Sequence, residues 1–174
     1  GSLLINTINN DIRASVTDST VTTGGSVTID ARDTSVIVSI AGGVAVSLGD
    51  APAAGASVSY NLISNTIESY IDNAAVVTQG AATDIVVAAT STATLVAIAL
   101  GIAVAGGNFA LGGSLTVNSI ANTIRSYIRN SVEVRSVRDI RVLAADRATL
   151  VAIAGGVGVS MGQTAVGAAI AYNY

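Results

Sequence analysis

The sequence predicts an all-β fold: a repetitive parallel β-solenoid, or β-helix, built from repeats of about 56 residues. Three observations carry that expectation. One segment recurs at a fixed offset along the whole chain. Within it, the positions that stay constant alternate with positions that drift. Strand-like starts then follow one another at short, regular spacing.

The recurring segment reads Ser2-Leu-Leu-Ile-Asn-Thr-Ile-Asn-Asn-Asp-Ile, Ser57-Val-Ser-Tyr-Asn-Leu-Ile-Ser-Asn-Thr-Ile and Ser114-Leu-Thr-Val-Asn-Ser-Ile-Ala-Asn-Thr-Ile. A fourth copy begins at Ala169-Ile-Ala-Tyr-Asn, so the offsets are 55, 57 and 55 residues. Two further blocks keep the same interval. One is Ser26-Val-Thr-Ile-Asp-Ala, Asp84-Ile-Val-Val-Ala-Ala and Asp139-Ile-Arg-Val-Leu-Ala; the other is the Gly-rich run beginning at Ile40, Ile98 and Ile153. Residues 1–174 therefore form a single continuous repeat segment, with units at about 2–56, 57–113 and 114–168 and the start of a fourth at 169–174.

Inside the first block, Asn61, Ile63, Asn65, Ile67, Ser69, Ile71 and Asn73 correspond to Asn118, Ile120, Asn122, Ile124, Ser126, Ile128 and Asn130. Asn6, Ile8, Asn10, Ile12, Ala14, Val16 and Asp18 hold the same places in the first copy. A constant face at period 2 opposite a drifting polar face is the pattern of a half-buried strand. A helix is the competing reading, since Ile63, Ile67 and Ile71 are also four apart and Asn65 with Glu68 mimics a capping box. Asn, Thr, Ser and Ile are mediocre helix formers, which favours the strand.

Strand starts at Val27, Val36, Val44, Val58, Ile67, Val76 and Ile85, and onward to Val157, are mostly 8 or 9 residues apart. Each unit then holds six strand-and-turn steps, with one longer turn at Gly49–Gly55, Gly106–Gly113 and Gly162–Gly167. Six steps fit three two-sided rungs or two three-sided rungs per unit, stacked about 4.8 Å apart. Small Ala, Val, Ser and Gly side chains suit a tight coil. In the Gly-rich block Leu95-Val-Ala-Ile-Ala-Leu-Gly-Ile-Ala-Val-Ala is apolar on both faces of a strand, so its outward residues need cover from the Gly loop or from another molecule. Self-association, side by side through that face or head to tail through unpaired strand edges, follows as an expectation.

The repeated asparagines are the only candidate site residues. Asn6, Asn61, Asn118 and Asn173, together with Asn10, Asn65 and Asn122, suit hydrogen-bonded ladders running up the stack. Left-handed turn chemistry is the plainer reading of the same residues. Both readings are structural.

Composition narrows the chemistry. The chain is 51% hydrophobic but only 3% aromatic and 11% charged, with no His and no Cys, so histidine acid–base chemistry, thiol chemistry and the commonest zinc sites are excluded. All eight basic residues are Arg and the net charge is −3, which lacks the footprint of nucleic-acid binding. Charge is unevenly placed. Residues 1–120 carry two Arg against eight acids, and residues 121–150 carry six Arg against three acids. Solvated turn charges explain this, as does a rod whose ends attract one another.

The uncharged run Ala93–Asn118 is long enough to span a bilayer as a helix, but it is broken by glycines and lacks aromatic anchors. Its recurrence in each unit points to the repeat, and no integral membrane segment is expected. The start Gly1-Ser2 has no basic leader and reads as a cloning scar on a piece of something longer.

No calcium-binding Gly-Gly-x-Gly-x-Asp motif occurs, and Asp30 with Asp33 has no counterpart in the other copies. The Gly-rich runs lack the Lys of a phosphate loop. Asp139 with Asp146, and Glu133 with Arg135, are sparse surface charges in place of a clustered carboxylate site. Catalytic, cofactor and metal residues are all expected to be absent, and the chain is expected not to be an enzyme.

The repeat Ser-Val-x-x-Asn-x-Ile-x-Asn-Thr-Ile-x-x-Tyr-Ile-x-Asn, followed by Val-x-Val-x-Ala and a Gly-rich run, resembles the repeat arrays of giant bacterial surface and secreted proteins, the haemagglutinin-like and leukotoxin-like filamentous adhesins. The resemblance covers essentially the whole chain. It implies an extracellular or cell-surface location, a non-enzymatic spacer or fibre role in adhesion, and neighbouring repeats of the same parent protein as the main partners. The alternatives are direct recognition of a glycan or protein, and, further off, a carbohydrate-active β-helix enzyme.

Overall fold

The structure, a computed structural model covering Gly1–Tyr174, contains strands and turns only. The chain runs β1 (Ser2–Ile8), β2 (Asp11–Thr17), β3 (Thr20–Thr23), β4 (Val27–Asp33) and β5 (Val36–Ser47) through its first coil. The second coil is β6 (Ala53–Ile63), β7 (Thr66–Asp72), β8 (Ala75–Thr78), β9 (Ile85–Ser91) and β10 (Thr94–Ala105). The third is β11 (Phe109–Ile120), β12 (Thr123–Arg129), β13 (Glu133–Arg135), β14 (Ile140–Asp146) and β15 (Thr149–Ser160), and β16 (Thr164–Asn173) opens a fourth. Every strand pairs in parallel with its counterpart one repeat away, in five sheets ordered β1-β6-β11-β16, β2-β7-β12, β3-β8-β13, β4-β9-β14 and β5-β10-β15. The fold is a parallel β-solenoid.

One repeat makes one coil. The spacing of strand starts predicts two or three rungs per repeat; the structure instead spends the whole unit on a single turn of five strands. Ser2 pairs with Ser57, Ser57 with Ser114, and Ser114 with Ala169. Changes in repeat length fall between strands. The β3–β4 connection has three residues where β8–β9 has six, yet Val27 still faces Ile85 across the ladder. Steps that start separately in the sequence, at Val36 and Val44, fuse into the 12-residue strand β5. The helical alternative for residues 61–73 is also replaced, by β6, a two-residue bend and β7. That bend keeps the inward–outward phase, which is why the constant face persists across it.

The coil has a wide end and a narrow end. The β2-β7-β12 and β4-β9-β14 sheets face each other and the short β3-β8-β13 sheet closes them, forming a body. Its interior is packed with large aliphatics, including Ile71, Val76, Ile85 and Val87. The β1-β6-β11-β16 and β5-β10-β15 sheets face each other as an arm about 40 Å long, at roughly 3.3 Å per residue. Near the body the arm still holds Ile37, Ile63 and Leu95, but toward its tip only Ala53, Ala103, Ala105 and Ala110 remain inside. Small side chains thus narrow the arm only, and the body is filled conventionally.

Between these zones lies a waist of bare backbone. A Cβ placed on Gly43 would overlap the carbonyl of Ala56 and stand 2.9 Å from its nitrogen, and one on Gly101 would overlap the backbone of Gly113. Gly55, Gly112, Gly156 and Gly167 meet the opposite sheet in the same way. None of these glycines has positive φ. The long Gly turn expected at 49–55, 106–113 and 162–167 is therefore a short turn followed by strand. Gly55, Gly112 and Gly167, in the strand, serve close approach of two sheets, whereas Gly49, Gly106, Gly107 and Gly162 lie in the turn itself.

The interior Ser column beside the waist yields a prediction of opposite sign to most core changes. The buried hydroxyls of Ser57 and Ser114 have no hydrogen-bond partner, and in the fourth coil Ala169 already occupies this column. Removing a buried, unpartnered hydroxyl restores no lost bond and relieves its desolvation, worth about 1 kcal/mol or more. The double variant Ser57→Ala, Ser114→Ala is expected to unfold at higher urea than the parent chain. A lower midpoint would show that these hydroxyls are satisfied in solution.

Candidate functional site: asparagine ladders and outer faces

The structure sorts the seven candidate asparagines into two columns with different jobs. Asn6, Asn61, Asn118 and Asn173 stack on the inner face of the arm where it joins the body. The Asn6 amide donates to Asn61 Oδ1 at 2.8 Å, Asn61 to Asn118 Oδ1 at 2.8 Å, and Asn118 to Asn173 Oδ1 at 2.9 Å. The second proton of the Asn61 amide goes to Ser59 Oγ at 2.9 Å, and Ser59 in turn meets Ser39 of the facing sheet at 2.8 Å. Asn61 and Asn118 are fully buried, so this column joins coil to coil and sheet to sheet without water.

Asn10, Asn65 and Asn122 sit at the two-residue bends, and their side chains do not bond one another. The backbone N–H of Asn10 donates to Asn65 Oδ1 at 2.8 Å, and that of Asn65 to Asn122 Oδ1 at 2.9 Å. At the bend the ladder loses a carbonyl acceptor, and the amide oxygen of the coil above replaces it. The freed amide groups reach across the interior to Ser35 and Ser91, each at 3.0 Å. These serines carry no motif. Their only sequence signal is that Ser35 stands two residues after Asp33, whose buried carboxylate holds both its N–H and its hydroxyl.

Left-handed turn chemistry belongs to a third set. Asp18, Asn73 and Asn130 have φ of 49°, 50° and 51°, and the amides of Asn73 and Asn130 donate to Asp18 and Asp72 below them.

Apart from the buried Asp33, charged residues lie on the outside of the body and in turns. Glu68 lies between Arg13 at 3.3 Å and Arg125 at 3.5 Å, and Arg129 binds Asp72 through two nitrogens at 2.9 and 2.7 Å. Hydrogen bonds from Arg129 and then Asn130 hold the Asp72 carboxyl below its ordinary value of 3.8. Asp139 is likewise lowered, chiefly by its hydrogen bond from Arg141. Glu133 pairs with Arg135 at 3.1 Å. All these pairs are exposed on at least one side, where solvent and salt screen an ion pair and it contributes little to stability. Tyr70 and Tyr127 stack one coil apart with ring centroids 5.0 Å apart and planes 3° from parallel, and the Arg129 guanidinium lies 5.1 Å from the Tyr127 ring. The carboxylates are dispersed: no group of three or more acids is placed to hold a metal ion.

The arm is apolar on its outer faces. On β5, Val36, Val38, Ile40, Val44 and Val46 point outward and are more than half exposed, while Ile37, Ser39, Ala41 and Gly43 point inward. Beyond Ile37 the large residues are outside and the small ones inside, the reverse of an ordinary sheet sandwich. The uncharged run Ala93–Asn118 is β10, a three-residue turn and most of β11. No helix of the chain is long and apolar enough to cross a membrane. Neither the Gly loop nor any other segment covers the outward residues. No family model, curated protein or solved structure matches the chain.

Proposed function

We propose that this chain is a non-enzymatic structural segment, a rigid spacer or fibre, of a large bacterial cell-surface or secreted adhesin. The observation that supports the reading is the use made of buried polarity. The conserved-in-repeat Asn positions are spent on intercoil bonds: side chain to side chain in the Asn61 column, side chain to backbone in the Asn65 column. Backbone ladders continue through the bends as well, with Ser64 N–H donating to Ile8 and Thr66 N–H to Asn10, each at 2.8 Å. Such a stack resists separation of coils along its axis while leaving its outline free to drift. The extracellular location and adhesin parent rest on the repeat resemblance, and neighbouring repeats of the parent are the partners that reading supplies. No nucleic acid, cofactor or integral membrane segment enters it.

Direct glycan or protein binding is the second reading, favoured by the half-buried Tyr70–Tyr127 stack with the exposed Arg129 beside it. Pulling single molecules from their ends separates the two. A spacer is expected to yield stepwise, coil by coil. Pairing offsets of 55 to 58 residues correspond to about 20 nm of released chain at roughly 3.6 Å per residue. Featureless extension, together with specific hits on a glycan array, would favour the binding module.

A further inference from the structure

We propose that the outer faces of the arm are a lateral docking surface for a second copy of this chain, with the β5-β10-β15 face of one copy seated on the β1-β6-β11-β16 face of the next. This does not depend on the spacer reading; it follows from the shape and chemistry of the two faces.

Each face carries parallel columns of side chains at the coil spacing. On the β5-β10-β15 face, Ile40, Ile98 and Ile153 form one ridge and Val44, Ile102 and Val157 another. Between them runs the column Gly42, Leu100, Gly155, in which the Leu100 side chain leans over Gly155 and only Gly42 is left bare, so one large side chain rises from an otherwise low column. Leu100 is 43% exposed, and Gly42 has nothing within 4 Å of where a side chain would begin. The opposite face supplies the complement. Ala56, Gly113 and Ala168 floor an apolar groove of about 260 Å³, walled by Val58, Leu115 and Ile170. Gly113 is at its centre, and a Cβ there would meet nothing closer than 3.9 Å. A Leu100 knob entering at Gly113 brings the ridges of one face between the ridges of the other, at the usual separation of about 10 Å for packed sheets.

The area of the faces is compatible with contact between copies. The β5-β10-β15 face presents roughly 500 Å² of plane from Val36 to Val46, as large as the largest apolar patches that soluble monomers expose. One contact between two such faces covers roughly 1,000 Å² in total, at the lower bound for a specific interface, and each copy has two faces to offer. A contact between unlike faces does not close on itself, so association is open-ended. Lipid is the poorer occupant. Hydrocarbon would surround the unpaired N–H and C=O groups along the edge strands β1, β5, β15 and β16, which a bilayer does not satisfy.

The chain has no cysteine, which makes the test direct. Leu100→Cys and Gly113→Cys chains are prepared separately, mixed and oxidised. The mixture is expected to give disulfide-linked dimers at least about tenfold faster than either chain alone or than Thr28→Cys with Gly113→Cys, because Thr28 faces outward on the body. Sedimentation of the unmodified chain is expected to show species growing with concentration. Leu100→Glu, which places a charge at the contact, is expected to weaken that growth at least about a hundredfold while its circular dichroism remains that of the parent. A concentration-independent monomer overturns the proposal. So do equal crosslinking in the control pair and undiminished association of Leu100→Glu, which marks end-to-end stacking instead. A monomer that floats with neutral phosphatidylcholine vesicles assigns the faces to lipid and overturns it too.

Discussion

Gly43→Ala and Gly42→Ala, one residue apart, are expected to move stability in opposite directions. Gly43 points into the arm, where the facing backbone of Ala56 occupies the place of its missing side chain. A methyl group there forces the two sheets apart, because the obstruction is a carbonyl held in the ladder and not a side chain with room to rotate. Parting the sheets also strips contacts from Ala41 and Ala45, its inward neighbours on the strand. Overpacking of this kind costs about 3 kcal/mol or more. Gly101→Ala, in the middle coil, meets Gly113 in the same way and has a coil above and below that must follow. Gly42 points outward into open space with φ that any residue adopts. Its replacement by Ala removes only the excess freedom of the unfolded glycine and is expected to add about 0.5–1 kcal/mol. Urea midpoints of the two variants and the parent decide the matter. Similar midpoints for Gly42→Ala and Gly43→Ala would mean that the sheets do not meet at this waist.

The same glycines mark the boundary of what the sequence makes legible. Period 2 over residues 61–73, recurring a unit away, suffices for parallel strands stacked in register, because inward positions in such a stack face their own copies. The size of the coil is hidden by two-residue bends that preserve phase and so look the same whether the chain closes a rung or continues along it. One signal does bear on it: steps within a unit, such as those starting at Val58 and Val76, do not resemble each other, whereas rungs inside a unit would have. The glycine runs read as turns because turns are where glycine is commonest. Their large–small alternation, with Val38, Ile40 and Val44 against Ser39, Ala41 and Gly43, is that of a strand with its small side inward. What reads as apolarity on both faces is size sorted by face.

The asparagines divide along the same line. Recurrence identifies the two columns, but their separate roles depend on where the bend falls. Asn61 lies inside a strand, where the backbone ladder is complete and only a side-chain partner remains. Asn65 lies at the bend, where a backbone N–H of the coil below needs an acceptor. Asn73 is at the end of the wall, where positive φ is required and a turn-forming amide meets it. Three positions in one period-2 series therefore use the same side chain for three different geometric reasons.

Asn61→Ala is expected to be among the most damaging polar substitutions in the chain, and Asn6→Ala among the mildest within the same column. Asn61 takes part in three side-chain bonds, accepting from Asn6 and donating to Asn118 and Ser59, and it is fully buried. Truncation removes all three and leaves a cavity that neighbouring coils, fixed by their own ladders, do not refill. A cost of about 3 kcal/mol combines the lost bonds with the void. Asn6 makes one of these bonds and is only partly buried, so water replaces its partner and the expected loss is below about 1 kcal/mol. Asn118→Ala breaks the Asn61 bond from the other side. The double variant Asn61→Ala, Asn118→Ala is expected to cost less than the sum of the single ones, because their shared bond disappears only once. Denaturant unfolding of the four chains measures that difference as a coupling energy. Additivity within about 0.5 kcal/mol would show that the amide-to-amide bond carries no stability of its own. A clear shortfall would establish the ladder as an energetic link from coil to coil, the property required for a stack that transmits tension along its axis.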